Sequence, residues 1–375
     1  MGRLVERYGA GALQHCGQGK WYPGEQVPRW SLNLFWRADR QPLWTRPALF
    51  ATGPQPGGAT EGQAASLLRG VAQRLRVAPG NVFPAFEDAA YAMWRERRLP
   101  INVDPTDARL ADPFERERMA LLFGGEGLSR VVGHALPIQR NLHAQAHQRW
   151  QSGPWFLRTG QCLLVPGDSA MGWRLPLDSQ PWARPEELPW IHPAEPNQDF
   201  DPLPAHGTAD AQAGIDAIEA DAAPLAPKPF ESATAIVRTA LGAQPRDGRL
   251  WVFMPPMAAL EDYVELVGAI EATAAELGLA LMLEGYEPPK DSRLVNLRVT
   301  PDPGVIEVNV HPVHSWSELV AQTTHLYDAA HRTRLSSEKF MIDGRHTGTG
   351  GGNHFVLGGA TAPDRSEERR VGKEC

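Results

Sequence analysis

Between Glu284 and Gly359 the chain gathers the residue types that can handle a metal-bound polyanion. Glu284, Glu287, Asp291 and Arg293 fall within ten residues in EGYEPPKDSRL, where two prolines stiffen the loop that would aim them. In GVIEVNVHP, strict alternation puts Glu307, Asn309 and His311 on one face of a strand and Ile306, Val308 and Val310 on the other. DGRHTGTGGGNHFVLGG then sets Gly350, Gly351 and Gly352 ahead of Asn353, His354 and an apolar strand. Carboxylate oxygens hold Mg²⁺ and bare backbone N–H groups hold phosphate, so this grouping points to nucleotide-dependent chemistry.

Each motif also has a plainer reading. The Glu307 face could be a solvated outer face, EGYEPPKDSRL an exposed loop tied by salt bridges, and the glycine run a linker. GTGGGNH lacks the lysine and hydroxyl residue of a P-loop and follows a helix, and GQGKWYPGE near residue 20 lacks the required glycine, so neither is a Walker motif. Arg174, with Asp168 in GDSAMGWRLPL, could line a substrate pocket or sit in an ordinary turn and strand. Cys16 beside His15 could be a thiol nucleophile, but no Asp/His partner can be placed near it, which favours a structural cysteine.

The elements that must position these groups read as α+β. Helices are expected at about 63–76, 86–98, 112–123, 260–277 and 315–334, the last with Ser315 and Glu318 as a capping box. Strands are expected in SLNLFW, at 131–137, and as hairpins in PWFLRTGQCLLVPG, across QPRDG and across PDPG. MGWRLPL and LALMLEGY continue the sheet. Residues 191–231, rich in Pro, Ala and Asp, read as a loosely ordered acidic insertion between an N-terminal part (1–190) and a catalytic-core part (232–364). The last eleven residues, RSEERRVGKEC (365–375), read as a translated sequencing adapter.

At 375 residues and 42% hydrophobic content the chain can bury a sizeable core. Its formal charge of −7 argues against a general nucleic-acid binder. The start, MGRLVERYGAG, has no apolar targeting core, and no run approaches the roughly 18 apolar residues of a membrane span. Cys16 and Cys162 suggest neither a disulfide framework nor a zinc site, so a cytoplasmic location is expected.

Taken together, GQGKWYPGEQVPRW, FEDAAYAMWRERRLPINVDP, GDSAMGWRLPLDS, VFMPP, EGYEPPKDSRL, VIEVNVHPVHSW and DGRHTGTGGGNHFVLGGA resemble the bacterial amidoligase family, glutamine-synthetase-like carboxylate–amine ligases. The resemblance implies a curled, mainly antiparallel sheet with flanking helices, ATP and Mg²⁺ as cofactors, and amide or isopeptide bond formation through an acyl phosphate. The acid and amine would be small molecules or peptides, and a transglutaminase-like domain would be fused or adjacent. By the same resemblance, Glu307 looks like a metal-binding glutamate, with Asn309, Glu284 and Asp291 as further metal or supporting groups. Gly350, Gly351, Gly352, Asn353 and His354 would contact nucleotide phosphate, and Arg293 and Arg174 would bind phosphate or carboxylate. The family pattern extends beyond both ends of this chain, so a fragment is expected. Thiol acyl transfer by the full-length protein and a non-catalytic nucleotide- or peptide-binding module are the alternatives.

Overall fold

The computed structural model describes residues 2–20, 29–88, 130–141, 149–157, 160–166, 173–175, 177–188, 199–205, 226–302, 305–336 and 338–348. The expected helix at 112–123, most of the one at 86–98, and the segment from Gly350 through the 365–375 stretch lie outside the described residues. Among the described residues, eleven strands form one open sheet, while β5 (Gln139–Arg140) and β6 (Trp150–Gln151) pair outside it. In spatial order they are β13 (Val305–Asn309), β12 (Leu294–Asp302), β2 (Trp30–Arg37), β1 (Leu13–Gln18), β11 (Leu281–Gly285), β10 (Arg249–Met254), β9 (Ala240–Arg246), β4 (Val131–Pro137), β3 (Phe83–Glu87), β7 (Cys162–Pro166) and β8 (Trp173–Arg174). Strands from before residue 190 and after residue 232 thus alternate in a single sheet.

Most neighbours run antiparallel, as the hairpins led us to expect, but β1–β11, β10–β11 and β3–β7 are parallel. The β10–β11 pair needs a crossover, and α3 (Leu260–Leu277) supplies it. This helix starts and stops where its spacing predicts, and Gly278 at φ 65° ends it. With α2 (Glu61–Arg74), capped by a Thr60/Gln63 box, it buries Leu67, Leu68, Leu266 and Ile270 completely against one face of β11, β10, β9 and β4. Cutting any of these leucines to alanine would destabilise the fold by about 2–5 kcal/mol.

The opposite face is covered at the other end of the sheet. There α1 (Gly2–Tyr8) and α4 (Trp316–Arg332) cover Leu34, Leu297 and Val299. Ser315 accepts from the Glu318 backbone as expected, but the Glu318 carboxylate reaches the backbone N–H of His314 instead of closing the box on Ser315.

Several expectations are corrected. Phe86 and Glu87, expected to open a helix, end strand β3, because they pair with β4 and β7. PWFLRTGQCLLVPG makes one strand, not a hairpin: Trp155 and Leu157 pack as side chains on Ala85 and Cys162, while β7 takes β3 and β8 as neighbours. Part of the acidic insertion is docked, since Leu203 is only 7% exposed and its carbonyl accepts from buried Arg37 at 3.0 Å. Among the described residues, the helices leave uncovered the two opposite faces that carry the polar groups below.

Candidate active site

The first bare surface is a polar row on the face that α2 and α3 occupy further along the sheet. Cross-strand register fixes it. Asn309 pairs with Arg298, Arg298 with Asn33 and Asn33 with His15, while Glu307 pairs with Thr300 and Ser31 with Gly17. Paired residues share a face, so groups from four strands form one patch.

Glu287 sits over this patch. One of its carboxylate oxygens accepts from Asn33 Nδ2 at 3.0 Å and the other from the Arg298 guanidinium. Gly17 makes room: a Cβ there would stand 2.8 Å from Glu287 Oε1 and 3.0 Å from Ser31 Oγ. At the edge, Glu307 accepts from Asn309 Nδ2 at 2.8 Å and from the Lys20 ammonium, while Arg29 and Lys20 both approach Asp302. Burial alone would raise the Glu307 pKa, but the Lys20 and Asn309 contacts hold it below the ordinary carboxylate range. Two buried oxygens in the row, Asn33 Oδ1 and Thr300 Oγ1, have no hydrogen-bond partner among the described residues.

The second surface is a cavity of about 880 Å³ on the opposite face, over β11, β10, β9, β4 and β3. Its floor carries Glu284, Trp251, Phe253, Gln244 and Gly242, and Arg174 and Arg238 stand among its walls. Glu284 is buried and clamped by Arg246 at 2.6 and 3.3 Å, and the same guanidinium lies 4.1 Å over the Trp251 ring. Burial pushes the Glu284 pKa up, with Arg246 pulling against it.

The two surfaces meet at the C-terminal ends of the parallel strands β1, β10 and β11, the side of a sheet where ligands bind in open α/β architectures. Glu287 both lines the cavity and holds the row. Gly285, at φ 95°, makes the reversal that carries the chain from Glu284 on one face to Glu287 on the other; a Cβ there would stand 2.8 Å from Met254 N and O.

The residues singled out from sequence divide accordingly. Glu307 and Asn309 lie in the row, and Glu284 and Arg174 in the cavity. Gly350, Gly351, Gly352, Asn353 and His354 fall outside the described residues. Asp291 and Arg293 are elsewhere: Arg293 binds Asp291 (2.7 and 3.0 Å), Glu261 (2.6 Å) and the Asp201 carbonyl (2.6 Å), and stacks on Phe200, which ties the loop to the start of α3. Its Asp291 contact, more than any other, holds the Arg293 pKa above the ordinary range. Among the described residues no three His, Cys, Asp or Glu converge as a metal-ligand set.

His311 departs from the expected Glu307–Asn309–His311 face. The strand ends at Asn309, ahead of Pro312, so the chain turns and the imidazole packs edge-on against Trp36 (5.0 Å) and Tyr8 (5.1 Å) under α4. The face opposite Glu307 is also less buried than its composition implies, with Ile306 on the edge strand 42% exposed and Val310, just past its end, 37% exposed.

Cys16 and His15 are consecutive on β1 and point to opposite faces, His15 toward Phe35 and Cys16 beside Glu284. Burial, reinforced by Glu284, pushes the Cys16 thiol up to about 12, the wrong direction for a nucleophile. Burial lowers His15 to about 4.

Sequence reasoning missed Asn33, Arg298, Gln244 and the Arg246 clamp. Asn33 was signalled as the one amide in the apolar run LNLFW. Arg298 was signalled by its position opposite Asn309 across the PDPG hairpin.

The family described as "Putative amidoligase enzyme (DUF2126)" matches residues 1–371. The chain belongs to that family. No curated protein and no solved structure matches the chain. No helix among the described residues is long and apolar enough to cross a membrane.

Proposed function

We propose that this amidoligase-family chain carries the site of an ATP- and Mg²⁺-dependent carboxylate–amine ligase, placed where the polar row and the cavity meet. In this reading the γ-phosphoryl group of ATP moves to a carboxylate oxygen, releasing ADP. The amine nitrogen then attacks the carbonyl carbon of the acyl phosphate, releasing phosphate and leaving an amide or isopeptide bond. The observation that carries the reading is the double engagement of Glu287, which lines the cavity while its oxygens hold Arg298 and Asn33 of the row.

The row suits Mg²⁺ by its donor chemistry. Glu287, Glu307 and Asn309 present hard oxygen donors, the unpartnered Asn33 Oδ1 and Thr300 Oγ1 lie on the same face, and Glu307 already attracts a cation in Lys20. Glu287 and Glu307 would hold the ion, which would supply positive charge to phosphate oxygens. Arg298 would bind a phosphate or carboxylate beside Glu287, and Arg174 and Arg238 would draw the anionic acid into the cavity. The clamped Glu284 keeps the floor rigid. Gly350–His354 as phosphate contacts, a transglutaminase-like partner and a cytoplasmic setting belong to the same reading.

The test uses the full-length protein with ATP, Mg²⁺ and panels of acids and amines, following ADP release that depends on the amine. Glu307→Gln is expected to abolish that release. A wild-type rate in this variant would remove Glu307 from the site.

A further inference from the structure

Four carboxylates stand in the row and on the adjoining cavity floor, and three of them are held by arginines. Glu284 is clamped by Arg246, Glu287 by Arg298, and Asp302 by Arg29 at 3.0 Å. The cation on Glu307 is instead a lysine, Lys20. The difference is chemical. A guanidinium is a planar fork that fixes a carboxylate in one geometry, whereas an ammonium is a compact point charge on a flexible stem, and so resembles a metal ion in what it offers an oxygen.

The side chain of Lys20 can leave while its backbone stays. The Arg29 backbone N–H donates to the Lys20 carbonyl at 3.1 Å and pins the chain at the end of the β1–β2 ladder, but the lysine side chain is 45% exposed. Its departure strands no carboxylate. Asn309 remains on Glu307 at 2.8 Å, and Asp302, which Lys20 approaches only to 3.7 Å, keeps Arg29, whose guanidinium also reaches the Pro301 carbonyl at 3.4 Å. A divalent ion brings twice the charge to the same hard oxygens, so it competes well against a single exposed ammonium.

We propose that Lys20 is the resident counter-ion of the Glu307 seat: it fills the place of the divalent cation while the ion is absent, and yields it on binding, which frees its ammonium for a polyphosphate. This assignment rests on the ligase reading, in which Glu307 holds Mg²⁺. Ion and polyphosphate are then coupled, because the ion displaces a cation that the polyphosphate can take up.

Acetylation of the intact protein by N-succinimidyl acetate, read lysine by lysine by mass spectrometry, tests the exchange without relying on turnover. Exposed Lys228 and Lys339 serve as internal references. Saturating Mn²⁺ should speed Lys20 acetylation at least about threefold against them, and Glu307→Gln should show the faster rate with no metal present. Manganese titration followed by electron paramagnetic resonance supplies the second arm: Lys20→Met should bind Mn²⁺ about two- to fivefold more tightly than wild type, because the competing ammonium is gone. Lys20 reactivity that does not respond to Mn²⁺, or a Lys20→Met variant that binds the ion no better, would overturn the proposal. The ligase reading fails differently. If Mn²⁺ binding depends on Glu307 while Lys20 stays protected, the counter-ion role alone falls. If the exchange occurs but no pairing of acid and amine gives amine-dependent ADP release, the ligase reading falls and a lysine-guarded cation site remains.

Discussion

Arg246–Glu284 and Lys20–Glu307 are both cation–carboxylate pairs, but they occupy opposite electrostatic regimes. The first is nearly dry, with side chains 12% and 2% exposed; the second is 45% and 29% exposed. Burial pushes the Glu284 carboxyl up, whereas its hydrogen bonds hold Glu307 down. A desolvated, bidentate pair is fixed and suits a floor. A wet pair can exchange its ammonium for another cation, and suits a binding edge.

The contrast breaks most visibly if the dry pair is cut. Glu284→Ala leaves the Arg246 charge buried and unpaired, and should lower unfolding stability in urea by about 3–5 kcal/mol. A loss below about 1 kcal/mol would mean that water reaches the pair. Next in size is Gly285→Ala, which forces a side chain into a left-handed conformation against Met254 and should destabilise by about 1–3 kcal/mol in the same measurement. Lys20→Ala should change stability by no more than about 1 kcal/mol, and salt should shrink even that.

The smallest effect is in the pH dependence, where the two pairs have opposite signs. Glu307, depressed in the fold, contributes stability above the ordinary carboxylate pKa and loses it as pH falls through its lower folded value. Glu284, raised in the fold, contributes most below the ordinary value and loses that contribution as pH rises through its folded pKa. Carboxyl NMR titrations should therefore find Glu284 above and Glu307 below the ordinary range. The reverse order would overturn the assignment of regimes.

How much of this was legible in the sequence depends on the range of the signal. Helix Leu260–Leu277, the PDPG hairpin and the Asp247–Gly248 hairpin follow from periodicity and turn chemistry, which are local. The parallel β1–β11 pairing is not local: Cys16 and Glu284 are far apart in sequence, and only tertiary packing sets them side by side. The same holds for the site. Glu307 and Asn309 could be read from alternation, and the hydrogen bond between them shows their shared face. Glu287 could be seen only as one carboxylate among several until Gly285 turned it toward Asn33 and Arg298. Arg293 looked equivalent in EGYEPPKDSRL, yet it is consumed by Asp291 and Glu261, a structural tie that composition cannot distinguish from a ligand contact.

If catalysis sits where row and cavity join, as we propose, the exchange that should damage it most is Glu287→Gln. The exchange keeps shape and removes one charge. Amine-dependent ADP release by the full-length protein should fall about 10²–10³-fold while unfolding stability changes by less than about 1 kcal/mol. A variant that turns over at the wild-type rate would put catalysis elsewhere in the molecule.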